Sequence, residues 1–292
     1  MRILILAAGL GTRLRPLTSQ MPKPLVRIVD ATILEHQAIL ARTLPEARLH
    51  VNAHYLAEAL SSSADSLGFE KVWIEQPAPL GTGGPLFRMN RESPVDELLV
   101  MNSDCFCRFN LKQFLRLARS SGAPCALLGV DYPLANTLYL RNSLLAGIKN
   151  RFGDVTRERI TFSGIAWYSK HALQSIRESE MDIRDFWKRL IQEGVPPFID
   201  SSQKFAPWID MGTPEGLMRA SDFRRKELNI GNFGVPANIS GKAKSTIFMP
   251  GFEPKAEATF DHAILFPGAA VENGECVKNE IRGENFTWTI GR

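Results

Sequence analysis

Residues 6–25 read LAAGLGTRLRPLTSQMPKPL and follow MRILI, an apolar run of strand character. Gly9 and Gly11 are followed by Arg13 and then by Lys23, which stands between Pro22 and Pro24. These residue types at this spacing suit an anion. Successive backbone N–H groups in a glycine-rich turn form a nest for phosphate oxygens, and glycine lets the backbone come close to a ligand. Arginine adds a fork of donors and lysine a point charge. Two common phosphate loops are excluded. The dinucleotide fingerprint needs Gly or Ala where Leu14 stands, and an acidic residue about 20 positions further on. A P-loop needs Gly-Lys-Ser/Thr, which is absent.

Such a loop needs a buried strand before it and a sheet to carry it. ILILA (3–7), LHVNA (49–53), KVWIEQ (71–76), LLVMN (98–102) and CALLGV (125–130) read as strands, and LEHQAILARTL (34–44) and LKQFLRLARSSG (111–122) as helices. The alternation predicts an α/β fold with a Rossmann-like, mostly parallel sheet flanked by helices. Ligands then belong at the carboxyl ends of the strands, where loops 7–24 and 102–107 emerge. Beyond residue 131 the pattern changes. Segments 137–142 and 144–150 read as a hairpin, and ITFSGIAWY (160–168) as a strand with a central glycine. Helices are expected over 169–179, 182–193 and 214–228, the last with Pro214 in its first turn. From Asn229 the chain becomes rich in Gly and Pro, with β-like runs in STIFMPG, HAILFPGAAVENGECV and NEIRGENFTWTI. That is the pattern of a small β-rich module of stacked turns. The expected organisation is one domain over 1–229 and a β-rich module over 230–292.

The totals narrow the function classes. Of 292 residues, 44% are apolar and 23% charged, with a net charge of +4, the profile of an ordinary globular chain with ample core. Lys and Arg are interspersed with acids, and the densest basic run, DFRRK (222–226), reads as a solvated helix end, so nucleic acid is not an expected partner. No run has the form of a signal peptide or the length of a membrane span, which makes the expected location cytoplasmic and excludes a membrane partner. Cys105, Cys107, Cys125 and Cys276 lack metal spacing and are expected to be buried thiols. His36 and His54 read as structural.

The block LAAGLGTRLRPLT…PKPL resembles the signature of the sugar-1-phosphate nucleotidylyltransferases. The resemblance continues at PLGTGGPLF (79–87), NSD (102–104), FSGI (162–165) and WIDMGTPE (208–215), and so covers residues 1 to about 228. It implies Mg²⁺-dependent transfer of a nucleoside monophosphate from an NTP to a sugar 1-phosphate, with release of pyrophosphate, in nucleotide-sugar biosynthesis for a cell-envelope polysaccharide. It assigns Arg13 to the β- and γ-phosphates and Lys23 to the charge developing at the α-phosphate. Gly9, Gly11 and Thr12 fall in the phosphate-binding backbone. Ala8, Gln76, Gly81 and Thr82 are assigned to base and ribose, with Gly81 and Gly83 allowing close backbone approach. Asp104 and Asp210 are assigned to Mg²⁺, and Arg13, Lys23 and Asp104 form the catalytic set. No general base is required, because the attacking phosphate is already ionised at neutral pH.

On the acceptor side the resemblance assigns Gly164 to the sugar. Many relatives carry Glu-Lys-Pro before that strand; GIKNRFGD (147–154) stands there instead, with Lys149 and Asn150 as candidates for the sugar phosphate. PLGTGG resembles the mannose-1-phosphate guanylyltransferases, whereas the missing Glu-Lys-Pro and FSGI resemble the N-acetylmuramate-1-phosphate uridylyltransferases. GTP and UTP with a hexose-type sugar 1-phosphate both stay open. The tail resembles a fragment of the left-handed β-helix of guanylyl and adenylyl relatives, which allows a homodimer. Two further readings remain. A phosphocholine-type cytidylyltransferase would need an aromatic cage, for which Trp167, Tyr168 and Trp208 are candidates. A non-catalytic regulatory subunit should have lost Arg13, Lys23 or a metal aspartate, and all are present.

Overall fold

The computed structural model describes residues 1–239, 241–253 and 257–291; Ser240, residues 254–256 and Arg292, all within the expected module 230–292, lie outside the described residues. The chain forms two compact units, one of Met1–Gly9 with Leu34–Trp208, the other of Leu10–Ile33 with Ile209–Arg292.

The first unit is built on a ten-stranded sheet. Its strands are β1 (Arg2–Leu6), β2 (Arg48–Ala53), β3 (Lys71–Ile74), β4 (Glu97–Asn102), β5 (Cys125–Val130), β6 (Leu138–Arg141), β7 (Leu144–Ile148), β8 (Phe152–Gly153), β9 (Arg159–Ser169) and β10 (Phe198–Asp200). They lie in the order β8-β7-β10-β5-β9-β4-β1-β2-β3, with β6 pairing β7 and β9. β4, β1, β2 and β3 run parallel, Leu4 standing opposite Val100 on one side and His50 on the other. β9 enters between β4 and β5 antiparallel to both. The α/β class is as expected, and the sheet is mixed: β9 reverses against β4 and β5, and β7 against β6, β8 and β10. ITFSGIAWY could not announce its direction, because a strand buried on both faces reads as an apolar run in either sense. β9 is also irregular. Its register on β5 shifts between Phe162 and Ala166, and Gly164 adopts φ +88° there. A Cβ at Gly164 would press on Asn102 at the end of β4.

Local chemistry sets the helix ends. Asn110 caps Leu111–Ser120 by accepting from the Gln113 N–H at 3.0 Å, and Ser169 and Asp182 cap Lys170–Ser175 and Ile183–Gln192 in the same way. The Ile183–Gln192 helix lays Phe186, Trp187 and Leu190 on Leu4, Val100, Ala166 and Tyr168 of the sheet. Burial of each large apolar side chain contributes about 1.5–3 kcal/mol.

The second unit opens with short turns rather than strands: 3₁₀ turns at Thr12–Leu14 and Lys23–Leu25, a helical turn at Leu17–Gln20, and paired two-residue strands Arg27–Ile28 and Ala31–Thr32. The Pro214–Glu227 helix has Pro at its start and Thr213 as its cap. Its Arg224 holds Asp30 in a bidentate pair at 2.9 and 2.7 Å. The remainder is a stack of parallel strands. Ala243 pairs with Phe260 and Phe260 with Val277; Ile247 pairs with Ile264 and Ile264 with Ile281, each partner 17 residues further on. The left-handed positions repeat with the same period, at Ser245, His262 and Asn279 and at Gly234, Gly251 and Gly268. IFMPG and ILFPG are one motif in successive coils. Strand Phe286–Thr289 closes the stack antiparallel. One thiol departs from expectation. Cys276 is exposed, because it begins the Cys276–Gly283 strand on its outward face, while Cys105, Cys107 and Cys125 are buried.

Candidate active site

The first loop leaves β1 at Ala7. Ala7 and Ala8 are buried, and a Cβ at Gly9 would project into open space. The Ala7 N–H donates to Asn52 Oδ1 at 2.5 Å. Asn52 Nδ2 donates to Glu75 Oε1 at 2.7 Å, and Glu75 Oε2 accepts the Leu80 N–H at 2.7 Å. Asn52 and Glu75 are each 1% exposed. Neither was singled out by sequence reasoning; a polar residue at the end of an apolar strand was the only signal.

In the second unit Gly11 takes φ +61°, and its carbonyl accepts from Thr18 Oγ1 and Leu14 N–H. A Cβ there would sit 3.2 Å from Lys23 Cβ, so the turn and the lysine are neighbours. Arg13, with Thr12 in the same turn, reaches Asp210: the guanidinium lies 3.8 Å from Asp210 Oδ2. Gly212 lies directly against that guanidinium, and a Cβ on it would collide with Arg13. The Gly212 N–H donates to Asp210 Oδ1 at 2.7 Å, which fixes the carboxylate. Residues from the two ends of the motif set thus meet, and Gly212 is a participant that the sequence did not single out.

Asp104 lies in the turn between β4 and the strand Cys105–Cys107. That turn is pinned on both sides. Ser103 donates from N and Oγ to Leu6 O at 3.1 and 2.7 Å, and buried Gln37 Nε2 donates to Cys105 O at 2.6 Å. Gln76 is exposed at the end of β3. The glycines after it lie against a neighbouring segment of the same unit. A Cβ on Gly81 or Gly83 would strike the backbone carbonyls of Met181 and Glu180. Thr82 N–H and Gly83 N–H both donate to Met181 O, and Thr82 Oγ1 accepts the Ile183 N–H at 3.0 Å. Loop 80–84 is therefore docked on segment 180–183.

A cavity of about 270 Å³ opens beside this loop, bounded by Leu6, Thr82, Asn102, Phe162, Tyr168 and Trp187. Gly164 overhangs Asn102 at its edge. Lys149 lines a different recess, with Asn136, Arg157 and Arg159. Asn150 sits at φ +59° between β7 and β8, where a hairpin turn itself calls for Asn. The aromatic candidates are also dispersed. Trp167 donates to Glu97 Oε2, Tyr168 is buried, and Trp208 donates to Ser163 O beside Tyr132, so the three do not form a cage. His36 packs edge-on against Phe106, and His54 Nδ1 meets Glu75 O, both structural contacts.

The fold defines a class: an α/β sheet whose first strand runs into a glycine-containing loop. Comparison with known proteins gives the family. The nucleotidyl transferase family model matches residues 2–137. The probable mannose-1-phosphate guanylyltransferase 2 of Oryza sativa subsp. japonica is 31% identical over 271 residues, 82% of this chain and 70% of that protein. The mannose-1-phosphate guanylyltransferase of Mycobacterium tuberculosis is 27% identical over 94% of this chain and 81% of its own length. The chain belongs to the nucleotidyl transferase family. It spans 60% of the catalytic subunit beta of Drosophila pseudoobscura pseudoobscura mannose-1-phosphate guanylyltransferase, at 28% identity over 74% of this chain. Among solved structures, an apo UDP-glucose pyrophosphorylase superposes with a TM-score of 0.62 at 16% identity, covering 78% of this chain and 98% of that one, a likeness of fold.

Proposed function

We propose that this chain transfers a nucleoside monophosphate from an NTP to a sugar 1-phosphate and releases pyrophosphate. The observation that carries the reading is the meeting of Arg13 with Asp210 over Gly212, which joins the first and last motifs of the family pattern. The acceptor phosphate attacks the α-phosphorus in line, and the protein's work is positioning and charge neutralisation. Arg13 binds the departing pyrophosphate, Lys23 the charge at the α-phosphate, and the Gly11–Thr12 turn offers backbone donors. Asp104 and Asp210 are the carboxylates this reading gives to Mg²⁺. Among the described residues no three His, Cys, Asp or Glu side chains are grouped to hold a metal unaided. Mg²⁺ characteristically takes one or two carboxylates, with waters and substrate phosphates completing its shell, so this donor set fits it. When bound, the ion neutralises phosphate charge.

The names of the relatives favour a guanine nucleotide and a hexose 1-phosphate, with UTP as the other candidate. The same reading places the chain in nucleotide-sugar synthesis for a cell-envelope polysaccharide, in the cytoplasm; no described helix is long and apolar enough to cross a membrane. A homodimer is part of the proposal. The test is pyrophosphate release with Mg²⁺ across five NTPs and several sugar 1-phosphates. One strong combination is expected, with Asp104→Asn and Asp210→Asn each lowering its turnover by about a hundredfold or more. Near wild-type turnover in both variants would overturn the metal assignment.

A further inference from the structure

We infer that Asn52 and Glu75 are a positioning pair that sets the spacing between the two nucleotide loops and, through it, the choice of base. The inference rests on the nucleotidyl-transfer reading. The pair lies behind both loops. On one side Ala7 N–H, next to Ala8 and Gly9, donates to Asn52 Oδ1. On the other, Leu80 N–H, next to Gly81 and Thr82, donates to Glu75 Oε2. Asn52 Nδ2 and Glu75 Oε1 close the chain between them at 2.7 Å.

The polarity of this chain is forced. Both ends are backbone donors, and a backbone N–H cannot change its sense. The two side chains must accept at each end and still bond to one another. Asn52 accepts from Ala7 with its oxygen and so turns its NH₂ toward residue 75. Residue 75 then faces two donors, which only an acceptor-only carboxylate satisfies. Glutamine at that position would set donor against donor in either orientation. Both oxygens of residue 75 therefore accept, and the group is buried: Glu75 is 1% exposed and makes no ion pair among the described residues. For stability alone a buried unpaired carboxylate is a poor choice. Its return is a rigid link between loops that touch different parts of one ligand.

The same logic supplies a rescue. With Asn52→Asp the two carboxylates oppose each other. In the double variant Asn52→Asp/Glu75→Gln, the new carboxylate at position 52 accepts from Ala7 N–H and from the new amide at position 75. The oxygen of that amide accepts from Leu80 N–H. The carboxylate and the amide exchange places and every hydrogen bond is kept.

The experiment measures equilibrium binding of GTP, UTP, CTP, ATP and dTTP to wild type, Asn52→Asp, Glu75→Gln and the double variant, with melting temperatures taken on the same samples. Each single variant is expected to lose about tenfold in affinity for the preferred base and a similar factor in its preference over the next, and the double variant to return to within about twofold. Where a single variant fails to fold, a folded double variant with wild-type base preference supports the inference. It is overturned if the single variants keep the wild-type base ratio, if affinity falls equally for every base in step with melting temperature, or if the double variant is no better than the singles. A wild-type protein that binds no nucleotide overturns the nucleotidyl-transfer reading and this inference with it; the other outcomes separate the two.

Discussion

At the scale of single residues, the proposed phosphate end of the site depends on what small residues leave room for. Gly212 leaves space for the Arg13 guanidinium beside Asp210. Gly212→Ala should push that guanidinium aside. Since misplacement by about 1 Å can cost a hundredfold in rate, pyrophosphate release should fall by about that factor while the melting temperature changes little. Away from the site, His50 shows how burial couples a side chain to pH. Its Nδ1 accepts the Trp73 indole N–H at 2.9 Å, and burial, with Arg2 nearby, pushes its pKa down to about 4. The folded state holds His50 neutral, while the unfolded chain takes up a proton near 6.5. Stability should therefore fall as pH drops from about 6.5 to 4, and urea midpoints of His50→Gln should be flatter across that window. Glu70, held down to about 2 by Arg48, loses its contribution only at lower pH, from about 4.5 downward.

At the scale of elements, irregularity in β9 is a built feature. Gly164 stands at φ +88° with Asn102 against it, so any side chain meets both backbone strain and a collision. Gly164→Ala should lower stability by more than about 1 kcal/mol and weaken sugar phosphate affinity, measured by chemical unfolding and by KM for the acceptor. A cap is the contrasting case. Asn110→Ala removes the bond to Gln113 N–H and should cost about 1 kcal/mol without altering KM.

At the scale of the whole molecule, the stacked coils and the Pro214–Glu227 helix belong to one compact unit, and His262 joins them. Its two ring nitrogens meet Asp222 on the helix at 2.7 Å and Asn279 in the next coil at 2.9 Å. Burial opposes the charged ring, but the hydrogen bonds to Asp222 and Asn279 outweigh it and raise the pKa. A raised folded-state pKa gives stability that is full below about 6.5 and is lost as pH rises through the folded value. The slope is opposite to that of His50. His262→Gln should flatten the high-pH limb of a stability profile and leave the low-pH limb in place. Coil stacking itself is tested at Ile264, buried between Ile247 and Ile281. Ile264→Ala should cost about 2–5 kcal/mol.

The sequence by itself determined most of the sheet strands, several of the helices, the α/β class and the family, because each rests on local patterns: apolar period and a loop whose chemistry is contiguous; the helices Ala57–Ser66 and Gly84–Glu92 and the strand Phe198–Asp200 were not read. It also pointed to a β-rich tail. The tertiary structure decided what depends on residues distant along the chain. The direction of β9 is invisible in an apolar run, and the 17-residue period is thinly spread because two of its strands are only two residues long. Gly81 and Gly83 face the backbone of 180–181, a contact that no local motif encodes. Asn52, Glu75 and Gly212 passed unnoticed for the same reason: a buried hydrogen bond is a relation between partners, and until the chain folds each partner reads as an ordinary residue.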